Sequence, residues 1–312
     1  LLYGSNLLAL TILYVVAGLG YTLESGALEA WFVDTIKHKK KEKHFHHLLG
    51  RWGSISNIGF IFGPLVGGFL VTYGYDKALL ATSISLILLG LLILLFGKES
   101  YFRRKSLDFK SAYAESIDNA KFAIKYVKSN NTIFYMSIIT FLSVLGLSLF
   151  YNAYPPYVVS VGLNPSYIGY ALSIAGLMVA LQLNYSKKIT KFLGGNRKSL
   201  IAYGLVFVIA LFLVPTITFI PALFFILTLY VSLYDMSGNM APAYKEIKNK
   251  AIPSKFRASI ISVLSGVGAI ALVISNLTFS LLSDTLGTRV LLYIGAFITL
   301  TAVLLYFKLP KD

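Results

Sequence analysis

The sequence contains no cysteine, which excludes a disulfide framework and any thiolate metal site. Charge is scarce as well: Asp, Glu, Lys and Arg make up 13% of the 312 residues, and the 13 acids are outnumbered by 28 bases. HExxH, GxSxG and GxxxxGK[ST] are all missing, so nothing speaks for a zinc hydrolase, a serine hydrolase or an ATP-driven machine. What abounds is apolar side chain. At 56% hydrophobic residues and a mean hydropathy of +0.73, the chain is too apolar for water and reads as an all-α integral membrane protein, a polytopic helical bundle.

Apolar stretches near the ~20 residues needed to cross ~30 Å of hydrocarbon occur at 7–33, 52–73, 78–97, 132–159, 166–186, 199–216, 219–240, 258–283 and 288–308. The loops between them alternate in charge. Of the 28 Lys and Arg, 26 fall in one set of loops and the C-terminal tail, while the other set holds only Lys77 and Arg289. By the positive-inside rule the basic loops and the C-terminus are expected in the cytoplasm of a cell with this chain in its inner or plasma membrane. The net charge of +15 then records topology, and nucleic acid is not expected as a partner. With nine spans and an internal C-terminus, Leu1 is expected outside, so a protein starting in the cytoplasm would have an odd number of helices upstream.

The long polar stretch at 98–131 is expected to link two membrane halves: 1–97, the closing part of a first bundle, and 132–312, a complete second bundle. Within it Tyr113, Ile117, Ala120, Ile124 and Val127 recur at helical spacing beside Lys121, Lys125 and Lys128, the pattern of an amphipathic helix on the inner leaflet. A weak repeat pairs Ser25-Gly26 with Ser237-Gly238 and Asp34 with Glu246. Internal repeats of this kind are a recurrent building rule of secondary transporters.

The second span carries Gly50, Gly59, Gly63, Pro64, Gly67 and Gly68 at fixed offsets, an arrangement that average composition would produce at roughly 10⁻⁷ per start position. Physically, Gly59, Gly63 and Gly67 offer a small-residue face for close helix packing, and Pro64 bends the helix. This pattern resembles motif C of the major facilitator superfamily, the signature of its proton-coupled antiporters, found there in the fifth helix. Residues 25–34 resemble the end of the fourth helix and Ile252 to Ser259 the loop before the eleventh. The resemblance thus reads the chain as helices four to twelve, with three N-terminal helices missing. Two departures matter. Motif B would place Arg where Tyr14 stands, although Gly18 and Gly20 are kept, and the second copy of motif A would place Asp where Lys191 stands. The proton-handling role of that Arg does not carry over, so another group must titrate.

An acid near mid-membrane costs about 2.5–3.5 kcal/mol on insertion scales and is a functional hypothesis by default. Glu24, Glu29 and Asp235 qualify; burial disfavours their charged form, which would let one bind a proton in one conformation and release it in another. Glu24 and Glu29 are five residues, about 140°, apart on a helix. The alternative for each is a structural acid paired with a loop base, the role expected of Asp34 with Arg51. For substrate contact the polar and aromatic residues inside apolar helices stand out: Tyr151, Asn152 and Tyr154 before Pro155-Pro156, then Gln182, Asn184, Tyr234 and Asn276. Rings beside an acid suit lipophilic cations; interfacial tyrosines and interhelical hydrogen bonds are the competing account. His38, His44, His46 and His47 lie among lysines that repel cations, so the loop is read as solvated, with no metal site.

The resemblance implies a secondary active transporter, a proton-coupled exporter of small amphipathic solutes of the multidrug-resistance kind. An uptake symporter is the alternative, and an integral-membrane enzyme or a non-transporting receptor are further ones. The expected partners are a small-molecule substrate, protons and membrane lipid, with no cofactor and a monomeric state.

Overall fold

The computed structural model describes residues 7–24, 35–36, 38–40, 45–97, 109–238, 241–253 and 256–311. Among these no strand occurs, as expected where lipid leaves backbone groups only their own helix as partner. The helices are α1 (Leu7–Glu24), α2 (Phe45–Val71), α3 (Tyr75–Phe96), α4 (Phe109–Ser129), α5 (Asn131–Ser160), α6 (Ser166–Phe192), α7 (Asn196–Leu213), α8 (Ile220–Ser237), α9 (Pro242–Ala251), α10 (Arg257–Leu286) and α11 (Thr288–Leu304). Short 3₁₀ turns, Val214–Thr216 and Leu305–Lys308, extend α7 and α11. Six of these helical runs are long and apolar enough to cross a membrane, and Ile58–Val71 and Ile220–Tyr234 are shorter apolar stretches. The chain is an all-α membrane protein.

Two compact units make up the structure: residues 1–60 with 69–106, and residues 61–68 with 107–312. In the first unit α3 buries none of its residues. A helix apolar on every side belongs in lipid or inside a larger assembly, never in water. The connection into α3 turns at Gly74, whose φ of 124° is open to glycine and strained for other residues.

In the second unit α5 is the central post. It packs against α10 and α11 along its length, with α6 on α8 and α7 between α8 and α11. Two cores follow one another along it. One gathers Phe150, Tyr154, Tyr157, Phe207, Leu223, Tyr230 and Leu292; the other gathers Ile133, Met136, Ile139, Leu200, Tyr244, Ile247 and Tyr306. Between them α5 and α11 cross with backbones in contact: a Cβ on Gly146 would meet the Gly295 carbonyl oxygen at 2.7 Å, and one on Gly295 would meet that of Gly146 at 2.7 Å. Several buried hydroxyls are satisfied within their own helices, as where Ser173 donates to the Gly169 carbonyl at 3.0 Å and Thr299 to that of Gly295 at 2.8 Å, so these cost little in an apolar interior.

The polar stretches at one end are built into this unit. Amphipathic α9 inserts Tyr244, whose hydroxyl donates to the Met136 carbonyl at 2.9 Å and accepts from Thr140 Oγ1 at 3.0 Å. Burial also acts on Lys248 of the same helix: desolvation first, and Lys245 second, hold its ammonium below the usual lysine range. Replacing Tyr244 with Phe keeps the shape and removes both bonds, so a loss of about 1–2 kcal/mol is expected, read as a lowered melting temperature of the purified protein.

The helix α4 departs from the face read off its spacing. Val127 of that stripe is buried, together with Ala123, against α10 and α5, whereas Ile117 and Ile124 stay exposed. The physical reason is a second, sharper set of contacts: Tyr126 donates to the Ala251 carbonyl at 2.7 Å, and the Phe122 and Phe256 rings lie 3.8 Å apart.

Candidate functional site

Aromatic residues of α5, α7 and α8 pack together in the second unit, and a polar pair joins α5 to α10. Tyr151 and Tyr154 lie edge to face at 5.6 Å, Tyr154 and Tyr230 at 6.0 Å, and Phe150 sits 5.0 Å from Tyr230. Phe207 of α7 stacks on Tyr230 at 5.7 Å and meets Tyr234 edge-on at 6.4 Å. Tyr154, Tyr230 and Phe207 are buried, while Tyr151 and Tyr234 are 57% and 42% exposed. A packed aromatic floor therefore carries two accessible rings at its rim, and edge-to-face geometry fixes their orientation beyond what burial alone would do.

A separate feature of α5 is an amide pair, Asn152 lying about 160° round the helix from Tyr154. Asn152 Nδ2 donates to Asn276 Oδ1 at 2.8 Å, and Ser148 Oγ donates to the same oxygen at 3.4 Å. With Oδ1 of Asn276 engaged, its amide nitrogen and the Asn152 oxygen remain to face a ligand. The sequence Pro155-Pro156 inside α5 adds to this, because each proline withholds the helical N–H from the carbonyl four residues back, here those of Tyr151 and Asn152. Rings, amides and two under-served carbonyls thus fall within one turn of α5. Such a surface can stack a flat apolar group and hydrogen-bond a polar one.

Of the residues expected from sequence, Tyr151, Tyr154 and Tyr234 are linked through Tyr230 and Phe207, and Asn152 and Asn276 are paired separately. Among the described residues no hydrogen bond or ring contact joins Gln182 or Asn184 to them. The Oε1 of Gln182 is buried on α6 without a hydrogen-bond partner among those residues. Glu29 and Asp34 lie outside the described residues, as do Ser25 and Gly26 of the repeat and His44 of the histidine loop. Glu24 ends α1, Gly50 and Arg51 lie in α2 and Asp235 lies in α8, but the side chains of Glu24, Arg51 and Asp235 are outside what is described.

The glycine helix makes its close contact one position away from the expected stripe. Among the described residues no atom lies within 4 Å of a Cβ on Gly59, Gly63 or Gly67, whereas a Cβ on Gly68 would meet the Ser166 carbonyl oxygen at 2.8 Å and Gly169 Cα at 3.2 Å. Reciprocally, a Cβ on Gly169 would strike the Pro64 carbonyl oxygen and Gly68 Cα at 2.7 Å. Pro64 and Gly68 of α2 therefore seat on the first turns of α6, inside the unit that contains both. Gly169 escaped the sequence reading; its only signal was the run of small residues Gly169, Ala171, Ser173, Ala175 and Gly176, most of them buried.

Six membrane-length helical runs and the absence of strands among the described residues define a polytopic membrane protein. The sequence profile described as Major Facilitator Superfamily matches residues 1–244, and the chain belongs to that superfamily. It is also 21% identical over 301 residues, 95% of this chain and 72% of the relative, to a Bacillus subtilis (strain 168) protein named "Uncharacterized MFS-type transporter YxaM". The chain is a multi-pass membrane transporter.

Proposed function

We propose that this transporter exports small amphipathic solutes in exchange for protons, by alternating access of two membrane halves, 1–97 and 132–312, about a central site. The observation that carries the reading is the full six-position glycine–proline pattern of α2, with Pro64 and Gly68 seated against Gly169. A proline-bearing helix with backbone-close contacts suits a joint that must rock without opening to lipid. The rim rings Tyr151 and Tyr234 and the Asn152–Asn276 pair supply the solute surface; an acid on α1 or α8 supplies the proton site, Asp235 being the first choice and Glu24 the second. The chain is taken to sit in the inner or plasma membrane with its basic loops and C-terminus in the cytoplasm.

Inverted membrane vesicles carrying the complete protein test this, with an imposed pH gradient followed by a pH-sensitive dye while lipophilic cations and other drugs are added. Collapse of the gradient by some compounds is the expected result. A silent panel, with folded protein shown in the membrane, would reject drug–proton exchange and favour an uptake symporter.

A further inference from the structure

The outer face of α4 has a composition that the transport reading does not use. Ala123 and Val127 point into the protein, and Tyr126 and Phe122 are held by Ala251 and Phe256. Turning round the helix from that buried face, the exposed Ala120 comes first, then Ile124 and Ile117, 47% and 37% exposed. Beyond them come Lys121, Lys128 and Lys125, all exposed. At 100° per residue the order is protein contact, apolar shoulder, basic ridge. Asp118 is the one acid among the described side chains of α4 (residues 117–129), and its link to Lys121 is a long 4.0 Å pair with both side chains at least 75% exposed, worth little in water.

The helix is also fixed at the right height. It ends at Ser129, and Asn130 caps the next helix, its side chain accepting from the Ile133 backbone N–H at 3.1 Å. That helix, Asn131–Ser160, is long and apolar enough to cross a membrane, and α4 joins its first turn, the level at which a span of that length would meet headgroups. Two exposed isoleucines beside three lysines have the two signals an interfacial surface needs, apolar insertion and attraction to phosphate. Lysine stems can lie along the apolar shoulder and carry their ammonium groups outward. An acidic protein segment would satisfy the lysines alone and leave the isoleucines in water.

We propose that Ile117, Lys121, Ile124, Lys125 and Lys128 form a binding surface for anionic phospholipid headgroups, which moors α4 and the second unit to the leaflet. The complete purified protein in detergent is titrated with phosphatidylglycerol and with phosphatidylcholine, and retained lipid is counted by native mass spectrometry. Preferential retention of phosphatidylglycerol is expected, falling about fivefold for each lysine replaced by Gln, from ~1 kcal/mol per basic residue at a membrane surface. The triple change Lys121→Gln, Lys125→Gln and Lys128→Gln is set against Lys187→Gln, Lys188→Gln and Lys191→Gln, which removes the same charge from the end of α6. A clearly larger loss from the α4 set, at an unchanged melting temperature in lipid-free detergent, supports the surface. Equal losses from both sets would reduce it to a general electrostatic field and overturn it. So would absent preference for phosphatidylglycerol, or retention of an acidic peptide in place of lipid. Ile117→Ser with Ile124→Ser should also weaken retention without changing charge, and full retention in that variant would count against the two-signal arrangement.

Discussion

Leucine at position 146 is expected to abolish the folded second unit, the largest structural effect of any single change considered. The three atoms nearest a Cβ built there are Thr299 Oγ1 at 2.6 Å, the Gly295 carbonyl oxygen at 2.7 Å and the Thr299 backbone nitrogen at 2.9 Å. All belong to α11, and two are backbone, so no rotamer change can relieve the clash. The Thr299 hydroxyl is already committed to Gly295. Because the crossing is reciprocal, α5 and α11 would have to separate along the line that also seats Phe150 against Gly295. Overpacking typically costs about 1–3 kcal/mol and more where backbone must move; here the upper end or beyond is expected. Loss of the monodisperse peak in fluorescence-detected size exclusion, or a steeply lowered melting temperature, is the readout. Gly266→Leu, made where no atom of the described residues lies within 4 Å of a Cβ, should leave both unchanged. A Gly146→Leu protein that melts like the Gly266→Leu protein would show that the crossing does not hold the unit together.

That crossing shows which features a single sequence displays and which it hides. Span positions were legible because lipid forces ~20-residue apolar helices: the stretches 132–159 and 288–308 meet α5 and α11 with its 3₁₀ extension almost end to end. Facing was not. Without water on the lipid side, apolar residues cover every side of a helix, and periodicity no longer marks the buried one. Hence Phe207, an ordinary apolar residue of α7 by sequence, turned out to link Tyr230 to Tyr234. The glycine contact likewise fell on Gly68 rather than on Gly59, Gly63 and Gly67, because which side of α2 meets a neighbour depends on Gly169, a residue about a hundred positions away. On α4, where lysines take one side, the apolar stripe was readable, yet its division into a protein-facing and an exposed part rests on Tyr126 and Phe256.

Asn at position 235 is expected to sever transport from the pH gradient while leaving solute exchange intact. Asp235 follows Tyr234 in α8, one turn past Tyr230, so it belongs to the level of the helix where the aromatic floor gives way to exposed ring. An acid kept at such a level costs about 2.5–3.5 kcal/mol to insert, a cost with no return unless its charge is used. In the exchange reading, one conformation favours the protonated acid and the other the charged acid, and the difference in proton affinity is what ties solute movement to the gradient. Asn is nearly isosteric with the protonated form and can never lose a proton, so both conformations then see a neutral group. Solute should still equilibrate by counterflow, because the Tyr151, Asn152 and Asn276 surface is untouched, but accumulation against a gradient should vanish and the flux should become independent of pH. Retained counterflow separates this outcome from misfolding, which would remove both. Full gradient-driven flux in Asp235→Asn would move the proton site to Glu24, tested by Glu24→Gln in the same assay. Unchanged coupling in both variants would leave the glycine–proline bend of α2 as a packing device and remove proton exchange from the account of this transporter.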